Sequence, residues 1–168
     1  MKGTEDQQEI DGNEELLKYL EEIRGIACVK CGMAKDLEDA TKNSPAFPMV
    51  AFITEAQDYY YPPENRTIKK EDVDLVSRLM FMQVLHKTYA GTATVCTGVA
   101  AKIKGTLVNQ VLHNDNPPEL VRIGHPAGMI PCYSEVDENN NVKKAAIVRT
   151  ARRLMEGYAL LEKAKYQD

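Results

Sequence analysis

The stretch Gly91-Thr92-Ala93-Thr94-Val95-Cys96-Thr97-Gly98 decides both the predicted fold of this chain and the hypothesis about its function. It predicts the start of a helix that runs over about 92–104 and is apolar on almost every side. A helix of that kind is typical of the centre of a domain. Its first backbone N–H groups have no partner inside the helix, and the helix dipole adds partial positive charge there. The stretch therefore predicts a binding place for a carboxylate or phosphate group.

Two interpretations of this helix start remain open on the residues alone. In the first, Gly91 lets a ligand approach the backbone, the threonine hydroxyls add donors, and His86 and Lys87 supply cationic donors a few residues upstream. In the second, Thr92 is only an N-cap and Cys96 is a small core residue. The stretch by itself favours neither.

A second candidate is the loop Gly124-His125-Pro126-Ala127-Gly128, which follows a predicted strand. Its two glycines and its proline fix the backbone, so that His125 points in a defined direction. An ordinary turn with a hydrogen-bonded histidine is the alternative interpretation. The sequence contains no nucleophile elbow, Walker loop, dinucleotide fingerprint or zinc signature, so the candidates form no complete catalytic set.

The composition bounds the class of protein. At 168 residues, the chain suits one domain with a substantial core. Its net charge of −4 argues against a nucleic-acid partner, and it has no apolar run of the ~20 residues that a membrane helix needs. The first residues lack the apolar centre of a secretory signal. We therefore expect a cytoplasmic protein that binds neither nucleic acid nor membrane.

The cysteines allow a different hypothesis, a thiol or zinc protein. Cys28 and Cys31 have the spacing of a CxxC motif, but no second pair follows, and the histidines are scattered. A redox CxxC opens a helix, whose dipole lowers the pKa of the thiol, whereas this pair lies at the predicted end of one. We therefore predict no metal site.

The pattern along the chain predicts both helices and strands. Asn13 caps an amphipathic helix that Gly32 ends, and a second helix is expected to begin near Lys70. Strands are predicted over 49–54, 66–68, 120–123 and 142–148, the last after a hairpin turn over 138–141. Composition favours a helix over 151–165, although the segment directly continues a β pattern. We expect a flexible lead-in over 1–12, a single lobe over 13–161 and a tail over 162–168.

Three parts of the sequence resemble the PrpF family. They are the 124–128 loop, His86-Lys87 before the small-residue helix, and the closing run Arg149-Thr150-Ala151-Arg152-Arg153-Leu154-Met155-Glu156-Gly157. This family contains methylaconitate and methylitaconate isomerases and is related to diaminopimelate epimerase. The resemblance implies an α+β fold: a β-barrel-like mixed or antiparallel sheet wrapped around the central apolar helix at about 92–104, plus peripheral helices. It implies a strand rather than a helix over 151–161. It also implies that the chain corresponds to the second lobe of a two-lobed enzyme.

The resemblance further implies a cofactor-independent isomerase that moves a proton and a double bond in a small unsaturated di- or tricarboxylate. The implied substrate-binding residues are His86, Lys87, Gly91, Thr92, Ala93, Thr94 and His125. Cys96 lies near the position that a catalytic cysteine has in the related epimerases. The main acid/base pair belongs to the first lobe, so the chain alone is expected to be inactive. It would need that missing lobe or a homodimer partner. The alternative is a non-catalytic binding or self-associating module with the same fold.

Overall fold

The computed structural model describes residues 1–113, 117–149 and 151–160. The helices in these ranges are α1 (Gln7–Asp11), α2 (Glu14–Lys30), α3 (Leu37–Asn43), α4 (Gly91–Ala100) and α5 (Leu107–Val111). The strands are β1 (Val50–Glu55), β2 (Tyr59–Tyr61), β3 (Arg66–Ile68), β4 (Leu75–Phe81), β5 (Val84–Leu85), β6 (Leu120–His125), β7 (Gly128–Val136) and β8 (Val142–Ile147). Short 3-10 turns lie at Pro62–Glu64 and Lys70–Asp72.

The main sheet has the strand order β1-β4-β6-β7-β8, and β5 pairs with β4. All of these pairs are antiparallel except β4–β6, and β2 and β3 form a separate hairpin. This mixed sheet with several helices confirms the α+β class. A closed, barrel-like wrapping of the sheet remains a prediction. In the described ranges, no helix is long and apolar enough to cross a membrane.

The helix α4 packs one side against the sheet. Its buried residues are Ala93, Thr94, Thr97 and Gly98, whereas Thr92 and Cys96 are exposed. The predicted span of 92–104 is too long, because the helix ends at Ala100 and turns follow. The expectation of a helix buried at the centre of the domain is wrong for this part of the chain, because one side of α4 is exposed. Small apolar side chains also suit a helix that lies close against strands.

Residues of β4 alternate between two sides of the sheet, as strand geometry requires. Leu75 and Leu79 share a core cluster with Ala93 of α4. On the other side, Val76 packs with Tyr59, and Met80 packs with Ile10 of α1 and with α2. This strand is therefore buried on both faces.

The predicted helix from Lys70 is wrong. Lys70–Asp72 is a single 3-10 turn, and Leu75–Phe81 is the strand β4. The spacing of Val73, Val76, Leu79 and Met80 matched a helix because a strand buried on both faces shows no alternation.

Most other predicted elements are confirmed, including the hairpin of β7 and β8 and the helix α2, where the Asn13 side chain accepts the amide of Leu16 at 3.0 Å. Two segments differ. The predicted lead-in over 1–12 contains α1, and its Ile10 is fully buried. Residues 151–160 form neither the strand nor the helix considered for them, while residue 161 and the predicted tail over 162–168 lie outside the described residues.

Candidate functional site

The start of α4 is an uncapped helix N-terminus. Ala90 is the N-cap residue, in an extended conformation, and no side chain caps the helix. The first amide bonded within the helix is that of Thr94, which donates to the Ala90 carbonyl at 2.8 Å. The amides of Gly91, Thr92 and Ala93 precede it and have no intrahelical acceptor. The predicted concentration of free backbone donors is therefore present.

The two threonines of this start differ in their surroundings. Thr92 is exposed, and its hydroxyl is available to a ligand. Thr94 is fully buried, and its hydroxyl donates to the Ala90 carbonyl at 2.9 Å. Ala93 is also buried, so it offers a ligand only its amide.

An arginine lies beside this helix start. A Cβ atom added to Gly91 would stand 3.0 Å from Nη2 of Arg149 and 3.2 Å from Cδ1 of Ile147. Glycine therefore lets the Arg149 guanidinium approach the positive end of α4, where an anion between them would relieve the repulsion. The sequence analysis did not assign Arg149 to the site, because residue spacing does not reveal a contact between the segment after β8 and the start of α4.

His125 is the most buried titratable group among the predicted residues, with 6% of its surface exposed. It ends β6, and its Nδ1 accepts the backbone amide of Ala127 at 3.2 Å. Its ring stacks on Tyr89, which directly precedes the N-cap of α4. Burial lowers the pKa of His125 to about 4, and the positive charge of Arg78 adds to this effect. The ring is therefore neutral at neutral pH.

Tyr89 joins the site to the core through its hydroxyl, a contact that the sequence did not predict. The oxygen lies 2.9 Å from Oγ of Ser77 on β4 and 3.0 Å from Oγ1 of Thr97 on α4. Burial raises the pKa of Tyr89, so the phenol stays protonated. This row of hydroxyls fixes the helix start relative to the sheet.

His86 and Lys87 lie between β5 and α4. Nδ1 of His86 accepts the amide of Thr88 at 3.1 Å, and the half-buried ring meets the edge of Phe81 with centroids 6.2 Å apart. Lys87 is exposed. The turn at His86 resembles the turn at His125, since in both the backbone amide two residues later donates to Nδ1 of the imidazole.

A cavity of about 640 Å³ adjoins part of the predicted site. Lys87 and Thr88 line it together with the turn 126–127, but among the residues described, none from α4 does. Its wall also contains Arg78, which is 2% exposed and donates through Nε to the carbonyl of Glu5 at 2.6 Å. The predicted residues thus divide between this cavity and the helix start.

Arg78 is a buried cation beside this cavity that sequence reasoning missed. It shares the sheet face of Val76 and Met80, opposite to α4, and its guanidinium carbon lies 5.6 Å from the centre of the Tyr59 ring. Burial lowers its pKa. Its bond to Glu5 fastens the chain before α1 to the sheet, which is a structural role.

The cysteines are all free thiols. Cys28 and Cys132 are buried, and Cys31 and Cys96 are exposed. Within the described ranges, no group of three or more histidine, cysteine, aspartate or glutamate side chains could hold a metal ion. Cys96 lies one helical turn beyond Thr92 on the open side of α4.

The fold and this site define a class: an α+β protein in which the start of a helix presents free backbone amides beside an arginine side chain. A family comparison makes the class specific. Residues 1–162 match the model of the PrpF protein family, and the chain belongs to that family.

The relatives are isomerases of small unsaturated acids. The chain is 61% identical over 165 residues to 3-methylitaconate isomerase of Eubacterium barkeri, covering 98% of this chain and 43% of the relative. It is 35% identical to 2-methyl-aconitate isomerase of Shewanella oneidensis, covering 96% of this chain and 41% of the relative. The crystal structure of methylitaconate-delta-isomerase superposes with a TM-score of 0.87 at 60% identity, over 98% of this chain and 42% of that one. The chain therefore spans less than half the length of these relatives.

Proposed function

We propose that this chain is the substrate-binding lobe of an isomerase that moves a proton and a double bond in a small unsaturated di- or tricarboxylate. The observation that carries the proposal is the uncapped start of α4 with Arg149 beside it. Free amides at a helix start and a guanidinium both bind carboxylates. The family membership supplies the class of reaction.

The proposed chemistry is proton transfer. A base removes the allylic proton next to a carboxylate, the electron pair delocalises over the double bond and that carboxylate, and an acid returns a proton at the other end. The oxidation state of the substrate does not change, so the step requires no redox cofactor. Donors at the α4 start would stabilise the delocalised anion. Lys87, Thr92 and the amides of Gly91 and Ala93 are assigned to carboxylate binding.

The acid and base are assigned mainly to polypeptide beyond this chain. The thiol of Cys96 forms no hydrogen bond to any described residue, so no neighbouring base activates it there. A catalytic role for Cys96 stays a prediction. We propose that the chain by itself is inactive for this reason.

We propose that the segment 151–160 contacts the polypeptide that the relatives have in addition. Leu154, Met155, Tyr158 and Leu160 expose between 80% and 101% of their surface. Burying a large apolar side chain contributes about 1.5–3 kcal/mol, so this segment favours a partner surface. The superposition on the longer methylitaconate-delta-isomerase chain covers 98% of this chain. An alternative partner is a second copy, which would give a self-associating module.

Turnover of 3-methylitaconate, followed by ultraviolet absorbance, tests the proposal. The chain is assayed alone and after co-expression with the remainder of the Eubacterium barkeri 3-methylitaconate isomerase. We expect no turnover by the chain alone and turnover by the co-expressed pair, with light scattering reporting the masses. Turnover by the chain as a homodimer would contradict the need for a further lobe. Binding without turnover in either case would favour the non-catalytic module.

A further inference from the structure

We propose that His125 serves the anion site as a neutral hydrogen-bond donor through Nε2, with its tautomer fixed by the backbone of the following turn. This inference rests on the proposed function and assigns one residue a defined role within it. His125 is thereby a positioning and binding residue rather than the base that removes the proton.

The tautomer follows from the contact at Nδ1. The amide of Ala127 donates to His125 Nδ1 at 3.2 Å, and an amide N–H can only donate. Nδ1 must therefore carry the lone pair, and in a neutral imidazole the proton is then on Nε2. His86 shows the same arrangement, since the amide of Thr88 donates to its Nδ1 at 3.1 Å. Both rings present an N–H on the side opposite to the backbone.

The Nε2 atom of His125 is open to a ligand. No described group forms a hydrogen bond with it, yet every fully buried side-chain nitrogen or oxygen in the described ranges has a partner. Nε2 is therefore not fully buried and retains some accessible surface. A donor at the edge of a largely desolvated ring binds an anionic oxygen more strongly than an exposed one does.

The position of the ring relates it to the helix start. His125 stacks on Tyr89, and the next residue, Ala90, caps α4. Tyr89 is in turn held by Ser77 and Thr97, so the stack cannot shift freely. The positive charge that acts on the ring is that of Arg78, and it opposes protonation of His125. A ring in these surroundings donates a hydrogen bond without gaining charge.

The first test needs no ligand. Long-range proton–nitrogen NMR on the labelled chain reports the tautomer of each histidine between pH 5 and 8. We expect His125 to have its proton on Nε2 and to remain neutral over this range. His113, whose exposed ring bonds Glu55 through Nε2 at 2.6 Å, is the internal control. A proton on Nδ1 of His125, or protonation of its ring near pH 6.5, would overturn the inference.

The second test adds 3-methylitaconate to the same sample. We expect the amides of Gly91, Thr92 and Ala93 and the Nε2 of His125 to shift together. His125→Ala should weaken binding at least tenfold and His125→Gln, which keeps a side-chain N–H, about threefold or less, while His113→Ala leaves binding unchanged. Shifts at the amides without one at Nε2 would overturn the inference and leave the proposed function intact. No shift at the amides would overturn both, and the tautomer result does not depend on binding.

Discussion

The ring of His125 stacks on the ring of Tyr89, with centroids 6.3 Å apart and 30° between the ring planes. This contact joins the end of β6 to the residue before the α4 N-cap. The Tyr89 hydroxyl extends it to Ser77 on β4 and Thr97 within α4. Two segments that are far apart in the sequence thus share one rigid arrangement at the helix start.

Removing the Tyr89 hydroxyl should destabilise the protein. Tyr89→Phe leaves Thr97 without its hydroxyl partner, whereas Ser77 keeps a bond to the Phe52 carbonyl at 3.2 Å. The expected loss is about 1–3 kcal/mol in the free energy of unfolding, measured by urea titration. Tyr60→Phe is the matched control, because Tyr60 is exposed and, among the residues that the structure describes, its hydroxyl bonds only Asn65. Equal losses for both variants would show that the buried hydroxyl row is unimportant.

The stability of the protein should depend on pH through His125. Its native pKa of about 4 lies below the ~6.5 of an unfolded histidine, so the unfolded chain binds more protons between these values. The stabilisation is complete above about pH 6.5 and is lost as the pH falls towards 4, by up to about 3 kcal/mol. His125→Gln removes this dependence. The free energies of unfolding of the two proteins, measured by urea titration at several pH values, should therefore diverge. Parallel dependences on pH would contradict the low pKa of His125.

A methyl group at Gly98 should push α4 away from the sheet. The added Cβ would lie 2.8 Å from the Cβ of Cys132 on β7 and closer still to its Sγ. We expect Gly98→Ala to lower the free energy of unfolding by about 1–3 kcal/mol, as overpacked cores do. Cys132→Gly in the same chain should restore part of the loss. Gly157→Ala is the control, since nothing lies within 4 Å of its Cβ position; a Gly98→Ala protein as stable as this control would contradict the packing.

The cysteines should fall into two classes of reactivity. Cys31 and Cys96 are exposed, whereas Cys28 and Cys132 are buried, and burial raises the pKa of the Cys132 thiol. Iodoacetamide at neutral pH should therefore modify Cys31 and Cys96 in the folded protein and all four cysteines after unfolding, as counted by mass spectrometry. Equal reactivity of Cys28 and Cys31, or bound zinc found by metal analysis, would revive the CxxC hypothesis.

The sequence predicted elements whose signal is local. Asn13 before two glutamates marked the start of α2, and the turn at 138–141 marked the β7–β8 hairpin. The sequence failed to predict β4, because a strand buried on both faces shows no alternation of apolar and polar residues. It also failed at α1, whose capping box of Asp6 and Glu9 lies in a polar stretch that looks like a terminus.

The sequence predicted those parts of the candidate site that depend on local signals, and missed the others. Free amides follow from any helix start, and His125 was singled out by its loop. The contribution of Arg149 and the hydroxyl row of Tyr89 depend on contacts between segments far apart in sequence, which residue spacing does not report. The buried Arg78 lay in an apolar run, where nothing local distinguished it from a surface residue.

The central claim, that the start of α4 binds a carboxylate, is tested most directly by titrating the labelled chain with 3-methylitaconate and following its backbone amides by NMR. We predict that the amides of Gly91, Thr92 and Ala93 shift most. Arg149→Met should weaken binding about tenfold, the effect of losing about 1.4 kcal/mol. Lys69→Met, at an exposed lysine bonded to Asp58, should leave it unchanged. Unshifted amides at 91–93, or shifts confined to the cavity beside Arg78, would contradict the claim.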